Sequence, residues 1–119
     1  MAGRLAYLIT TGPDNEAKAL SALRVASRTF FAREELGLET VEIFFFVDGL
    51  KWLAGLQDED EAHRLLKELL QAGAVVAACG QQAERFGVAD RARDLGLALD
   101  LARDTFARYA RDGYTVITL

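Results

Sequence analysis

The chain carries few residues suited to covalent or acid–base chemistry. It has one cysteine, Cys79, and one histidine, His63, among 119 residues. One of each cannot complete a Cys/His zinc site, and one cysteine cannot close a disulfide within the chain. A Ser-His-Asp triad would have to use His63, and the sequence holds no Gly-x-Ser-x-Gly turn. It holds no Cys-x-x-Cys either, which excludes thioredoxin-type exchange inside one chain. What remains is what one thiol can do. A lone accessible thiolate can carry sulfur as a persulfide or form a mixed disulfide with a partner.

Cys79 is followed by Gly80, which would let a bound sulfur or a partner chain approach the backbone. If the residues from Gln81 to Phe86 are helical, their first amides favour negative charge at Cys79. Arg85 is a candidate positive neighbour. Against this, a single cysteine in such a domain is often no more than a small buried hydrophobe.

The other candidates are plainer. Asp48 could orient a ligand, or serve a turn with Gly49. Thr10 and Thr11 could donate to an anion. His63 reads as an exposed helix residue. Asp58 to Glu61 read as an acidic helix start that complements the dipole. Gly12, Gly49 and Gly80 form neither G-x-G-x-x-G nor a P-loop, so no nucleotide site is assigned. No metal or organic cofactor is expected.

These residues need a scaffold. Apolar runs of strand length alternate with amphipathic segments of helix length, the pattern of βαβ units around a parallel sheet. Strands are expected at Leu5–Thr10, Val41–Val47, Ala74–Ala78 and Tyr114–Leu119, with a short one at Leu97–Leu99. Phe44-Phe45-Phe46 is apolar in succession, as in a strand covered on both faces. Helices are expected from Glu16 to Leu36, Glu61 to Ala72 and Leu101 to Arg111, with shorter turns at Gln81–Phe86 and Ala89–Asp94. Asp14 or Asn15 could cap the first helix. The result is an α/β/α sandwich with four or five strands. In such sheets the ligand crevice lies outside the carboxyl ends of the strands. Those ends carry Thr10-Thr11-Gly12, Asp48-Gly49 and Cys79-Gly80. The segment Leu50 to Leu56 reads as an apolar loop, and its Trp52 must be covered by its own domain, by the Cys79 crevice or by a neighbouring subunit.

Composition narrows the class. The chain is 51% apolar and 27% charged with a net charge of −4, a globular and mildly acidic balance. It lacks the basic footprint of a nucleic-acid binder and the Lys/Arg cluster of a membrane-surface protein. No apolar run approaches the ~20 residues of a bilayer span. One domain over 1–119 and a cytoplasmic location are expected.

Three segments together resemble the DsrE/DsrF/TusD family of sulfur-relay proteins, also called DsrE-like or YchN-like. They are YLITTGPDNEAKALSALRVASRTF, VEIFFFVDGLKWL and VVAACGQQAERFGV. The third is the most informative, since the family's persulfide-carrying cysteine falls at Cys79. The resemblance implies a five-stranded parallel sheet in order 4-3-2-1-5. It implies trimers, hexamers or hetero-oligomers with paralogues. It also implies a sulfurtransferase role, taking sulfur from one carrier protein and passing it to another. Gly80, Asp48, Gly49, Trp52, Thr11 and Arg85 are then candidates for the substrate and partner surface. The alternative is a non-catalytic oligomeric module in which Cys79 only packs.

Overall fold

The computed structural model describes residues 2–119. Five strands, β1 (Gly3–Ile9), β2 (Leu38–Phe45), β3 (Val75–Cys79), β4 (Ala98–Asp100) and β5 (Thr115–Thr118), form one parallel sheet. Their order is β4-β3-β2-β1-β5, as the resemblance implied. Among the described residues six α-helices connect them, α1 (Glu16–Phe31), α2 (Asp48–Ala54), α3 (Glu61–Gln71), α4 (Gly80–Arg85), α5 (Ala89–Asp94) and α6 (Ala102–Arg111), with a 3-10 turn at Pro13–Asn15 before α1.

The topology follows from handedness. The first three crossovers step the same way across the sheet, so a right-handed connection puts α1 to α5 on one face. The last crossover returns from β4 at one edge to β5 at the other. The same hand then requires α6 on the opposite face. Strand alternation separates the two cores accordingly. Tyr7, Ile9, Val41, Ile43, Phe45, Val76 and Ala78 pack with α1 to α5. Phe44, Ala77 and Cys79 pack with Leu8, Phe46 and the α6 residues Ala102 and Phe106.

Small residues let α1 lie close on the larger core: Ala19, Ala22 and Ala26 are buried with Leu23 and Phe30. Asn15 caps this helix, its Oδ1 accepting from the Lys18 amide at 3.2 Å. The helix ends at Phe31 rather than continuing to Leu36. Residues 32–37 wind into turns closed by Gly37 at φ +74°, and the Leu38 amide donates to the Arg33 carbonyl at 2.8 Å. Phe31, the last residue of the helix, is 54% exposed.

The segment expected as an apolar loop is the helix α2. Leu50, Trp52 and Leu53 are buried in it. The chain enters α2 through Val47 at φ +48°, a strained conformation for a β-branched residue. The Gln82 side-chain carbonyl accepts the Val47 amide at 2.7 Å, tying the end of β2 to α4.

Candidate functional site

The carboxyl ends of the strands are not equivalent. At β1 and β2 the backbone is close-packed. A Cβ on Gly49 would stand 2.0 Å from the Ile9 carbonyl oxygen, and one on Gly12 would stand 2.4 Å from Asp48 Cβ. Both glycines are there because the chains touch, leaving no crevice between them. The Thr10 and Thr11 amides donate to the Leu119 carbonyl at 2.7 and 3.3 Å, and the Thr10 hydroxyl also donates to it, at 3.0 Å. Thr11 thus helps anchor the last strand. Asp48 is exposed at the start of α2, its Oδ1 3.6 Å from Lys51 Nζ.

β3 and β4 end differently. The chain leaves β3 toward α4 and the larger core, where Ala83 is buried. It leaves β4 toward α6 on the other face. Adjacent strands whose connections depart to opposite faces leave a crevice between their carboxyl ends. The residues there are Cys79-Gly80 and Asp100-Leu101. Cys79 pairs in register with Asp100, so their side chains leave the sheet on the same face.

Cys79 is the last residue of β3 and 4% exposed. Three phenylalanine rings belong to its cluster. Phe106 stands 5.5 Å from both Phe44 and Phe46, centroid to centroid, and those two are 6.3 Å apart. Gly80 is not forced by packing, since a Cβ there would meet Leu99 and Asp100 at 3.5 to 3.8 Å. Arg85 is exposed in the last turn of α4.

Beside this cluster lies a buried charge network. Glu42, on the same face of β2 as Phe44, is 5% exposed. Arg108 of α6 donates to both its carboxylate oxygens, at 2.8 and 3.1 Å. The Tyr114 hydroxyl donates to the same carboxylate. The hydrogen bond to Glu42 pushes the Arg108 pKa up. Burial, then the Glu42 charge, pushes the Tyr109 phenol up; burial and the Glu42 hydrogen bond do the same for Tyr114.

Trp52 lies elsewhere. It packs on Phe45 in the larger core, with ring centroids 6.5 Å apart. Cys79 is on the other side of the sheet, so Trp52 does not line its crevice. Trp52 instead lines a cleft of about 260 Å³ with Pro13, Glu16, Leu20, Lys51 and Asp60. His63 is half-buried beside Asp58, at 3.5 Å, and takes no part in either place. Among the described residues, no group of three His, Cys, Asp or Glu side chains could hold a metal ion. No described helix is long and apolar enough to cross a membrane.

The DsrE/DsrF-like family profile matches residues 3–119. The chain belongs to the DsrE/DsrF-like family. Two solved structures share the fold of this DsrE/DsrF-like chain. One is a conserved protein of unknown function, BT1422, from Bacteroides thetaiotaomicron, with a TM-score of 0.74 at 19% identity over 96% of this chain and 94% of that one. The other is the YchN protein of E. coli, with a TM-score of 0.73 at 16% identity over 98% and 99%. No curated protein matches the sequence.

The sequence left three site residues without a role: Asp100, Phe46 and Phe106. Asp100 falls one residue beyond the expected fourth strand, and its pairing with Cys79 depends on register. Phe106 reads as one of several apolar residues on a helix face. Its place on the face that carries Cys79 is set by the last crossover.

Proposed function

We propose that this DsrE/DsrF-like protein is a sulfur carrier that holds sulfane sulfur as a persulfide on Cys79. The observation that carries the reading is the position of the only thiol, at the divergent carboxyl ends of β3 and β4. The Cys79 thiolate attacks the terminal sulfur of a donor persulfide, forming a new S–S bond as the donor's S–S bond breaks. The donor leaves as a thiolate, and an acceptor thiolate later takes the terminal sulfur by the same exchange. No oxidant and no cofactor are needed. The partners are then a donor and an acceptor protein, each supplying its own thiol. Assembly into a trimer or hexamer and a cytoplasmic site of action accompany the reading. The test is incubation with a persulfide donor. One sulfur atom is added to the wild type and none to Cys79→Ser.

The burial of Cys79 favours a second reading. In it the thiol packs, and the Trp52 cleft holds a small molecule or partner segment. Cys79→Ala would then leave binding intact and Trp52→Ala would remove it.

A further inference from the structure

We propose that α6 is a latched cover over Cys79, whose first half lifts to expose the thiol. The inference rests on the reading that Cys79 exchanges sulfur, and it names how that exchange is gated.

The cluster that buries Cys79 has two kinds of member. Leu8, Phe44 and Ala77 belong to β1, β2 and β3, and Phe46 directly follows β2, its amide donating to the Ile9 carbonyl at 3.0 Å. They cannot withdraw without breaking the strand ladders. Ala102 and Phe106 belong to α6, which is the only helix on that face among the described residues. Access to the sulfur from that face therefore runs through α6.

The helix is held unevenly. Its second half is fastened by the bidentate Arg108–Glu42 pair, by Tyr114 on the same carboxylate, and by buried Tyr109, whose ring is 5.0 Å from that of Tyr114. Its first half has no such tie. Among the described residues, no side chain from Ala102 to Ala107 hydrogen-bonds outside the helix; the Arg103–Asp104 contact is internal. The chain reaches this half from the three-residue edge strand β4 through Leu101, which is 48% exposed. A segment with one fixed end and one end held by apolar contact alone opens locally before the fold does.

The test is alkylation of native Cys79 by iodoacetamide, run with amide hydrogen exchange of α6 at urea concentrations below the unfolding transition. A cover predicts that the thiol and the amides of the first half of α6 open together, with a urea dependence well below that of global unfolding. Phe106→Ala should raise the alkylation rate roughly tenfold or more, and Phe106→Leu, which refills the space, by less. An alkylation rate that follows global unfolding with its full urea dependence overturns the cover. So does a fast rate equal in the wild type and Phe106→Ala. The wild-type exchange experiment decides the matter even if Phe106→Ala does not fold. Persulfide loading separates the two claims. Local opening with no sulfur added leaves the cover standing and removes the relay. Sulfur added at a rate indifferent to Phe106→Ala leaves the relay standing and removes the cover.

Discussion

Cys79 and Asp100 are partners across β3 and β4, at the one pair of carboxyl ends whose connections leave for opposite faces of the sheet. An anionic reagent approaching the sulfur at these ends passes the exposed Asp100 carboxylate, which repels it, and salt screens the repulsion. Asp100→Asn is expected to raise the rate of Cys79 alkylation by iodoacetate relative to iodoacetamide by roughly two- to threefold at low salt, less at high salt. An unchanged ratio at low salt would show that the carboxylate does not face the path to the thiol.

The β1–β2 junction admits no side chain at Gly49, where a Cβ would lie 2.0 Å from the Ile9 carbonyl oxygen. The obstacle is backbone, which cannot swing aside as a flexible side chain can. Gly49→Ala should therefore cost about 3 kcal/mol or more, read as a lower urea midpoint. By contrast, Gly80→Ala meets its neighbours at ordinary distances and should stay within about 1 kcal/mol of the wild type.

Buried Tyr109 makes the fold sensitive to alkali. Its pKa is raised in the native state, by burial first and the Glu42 charge second. A raised native pKa gives stability that is complete below the ordinary tyrosine value of 10.0 and is lost as pH climbs toward the native one. Above pH 10 the unfolded chain ionises first, so Tyr109 alone should cost up to about 1.4 kcal/mol per pH unit. Tyr109→Phe should lose stability less steeply than the wild type over that range. Parallel losses in urea titrations at successive alkaline pH values would contradict the assignment.

The Glu42–Arg108 pair invites a double-mutant comparison. Removing Arg108 alone leaves a buried carboxylate with only Tyr114 beside it, at a cost of about 3–5 kcal/mol. Glu42→Met with Arg108→Met removes both charges and keeps apolar bulk. The double variant should be more stable than Arg108→Met alone by urea unfolding. Equal or additive losses would mean that the pair is not an energetic unit.

Much of the scaffold was legible because its periodicities are long or strong. The Ala-rich face of α1, the leucine stripe of α3 and the apolar VEIFFFV stretch each declare one element. The helix α2 was hidden because seven residues starting Asp-Gly cannot display two full turns of amphipathic pattern. Its apolar content was visible, and its conformation was not. The end of α1 was hidden because residues 32–37 continue a helix-like composition through the turns that end it. The separation of Trp52 from Cys79 was hidden for another reason. Val75 to Cys79 is apolar at every position, so alternation cannot say which set faces α1. The pairing of Cys79 with Asp100 is a matter of register, which three residues of β4 do not specify on their own. Cys79 itself stood out only because nothing else in the chain could do its chemistry.

The central claim is that Cys79 carries sulfane sulfur. The most direct measurement is the intact mass of the native protein after exposure to a persulfide donor, followed by addition of a thiol acceptor. The account predicts one added sulfur atom on the wild type, located to the Cys79 peptide, absent in Cys79→Ser and lost on adding the acceptor. An unmodified wild type would contradict it, provided that Cys79 of the same sample is alkylated under the same native conditions.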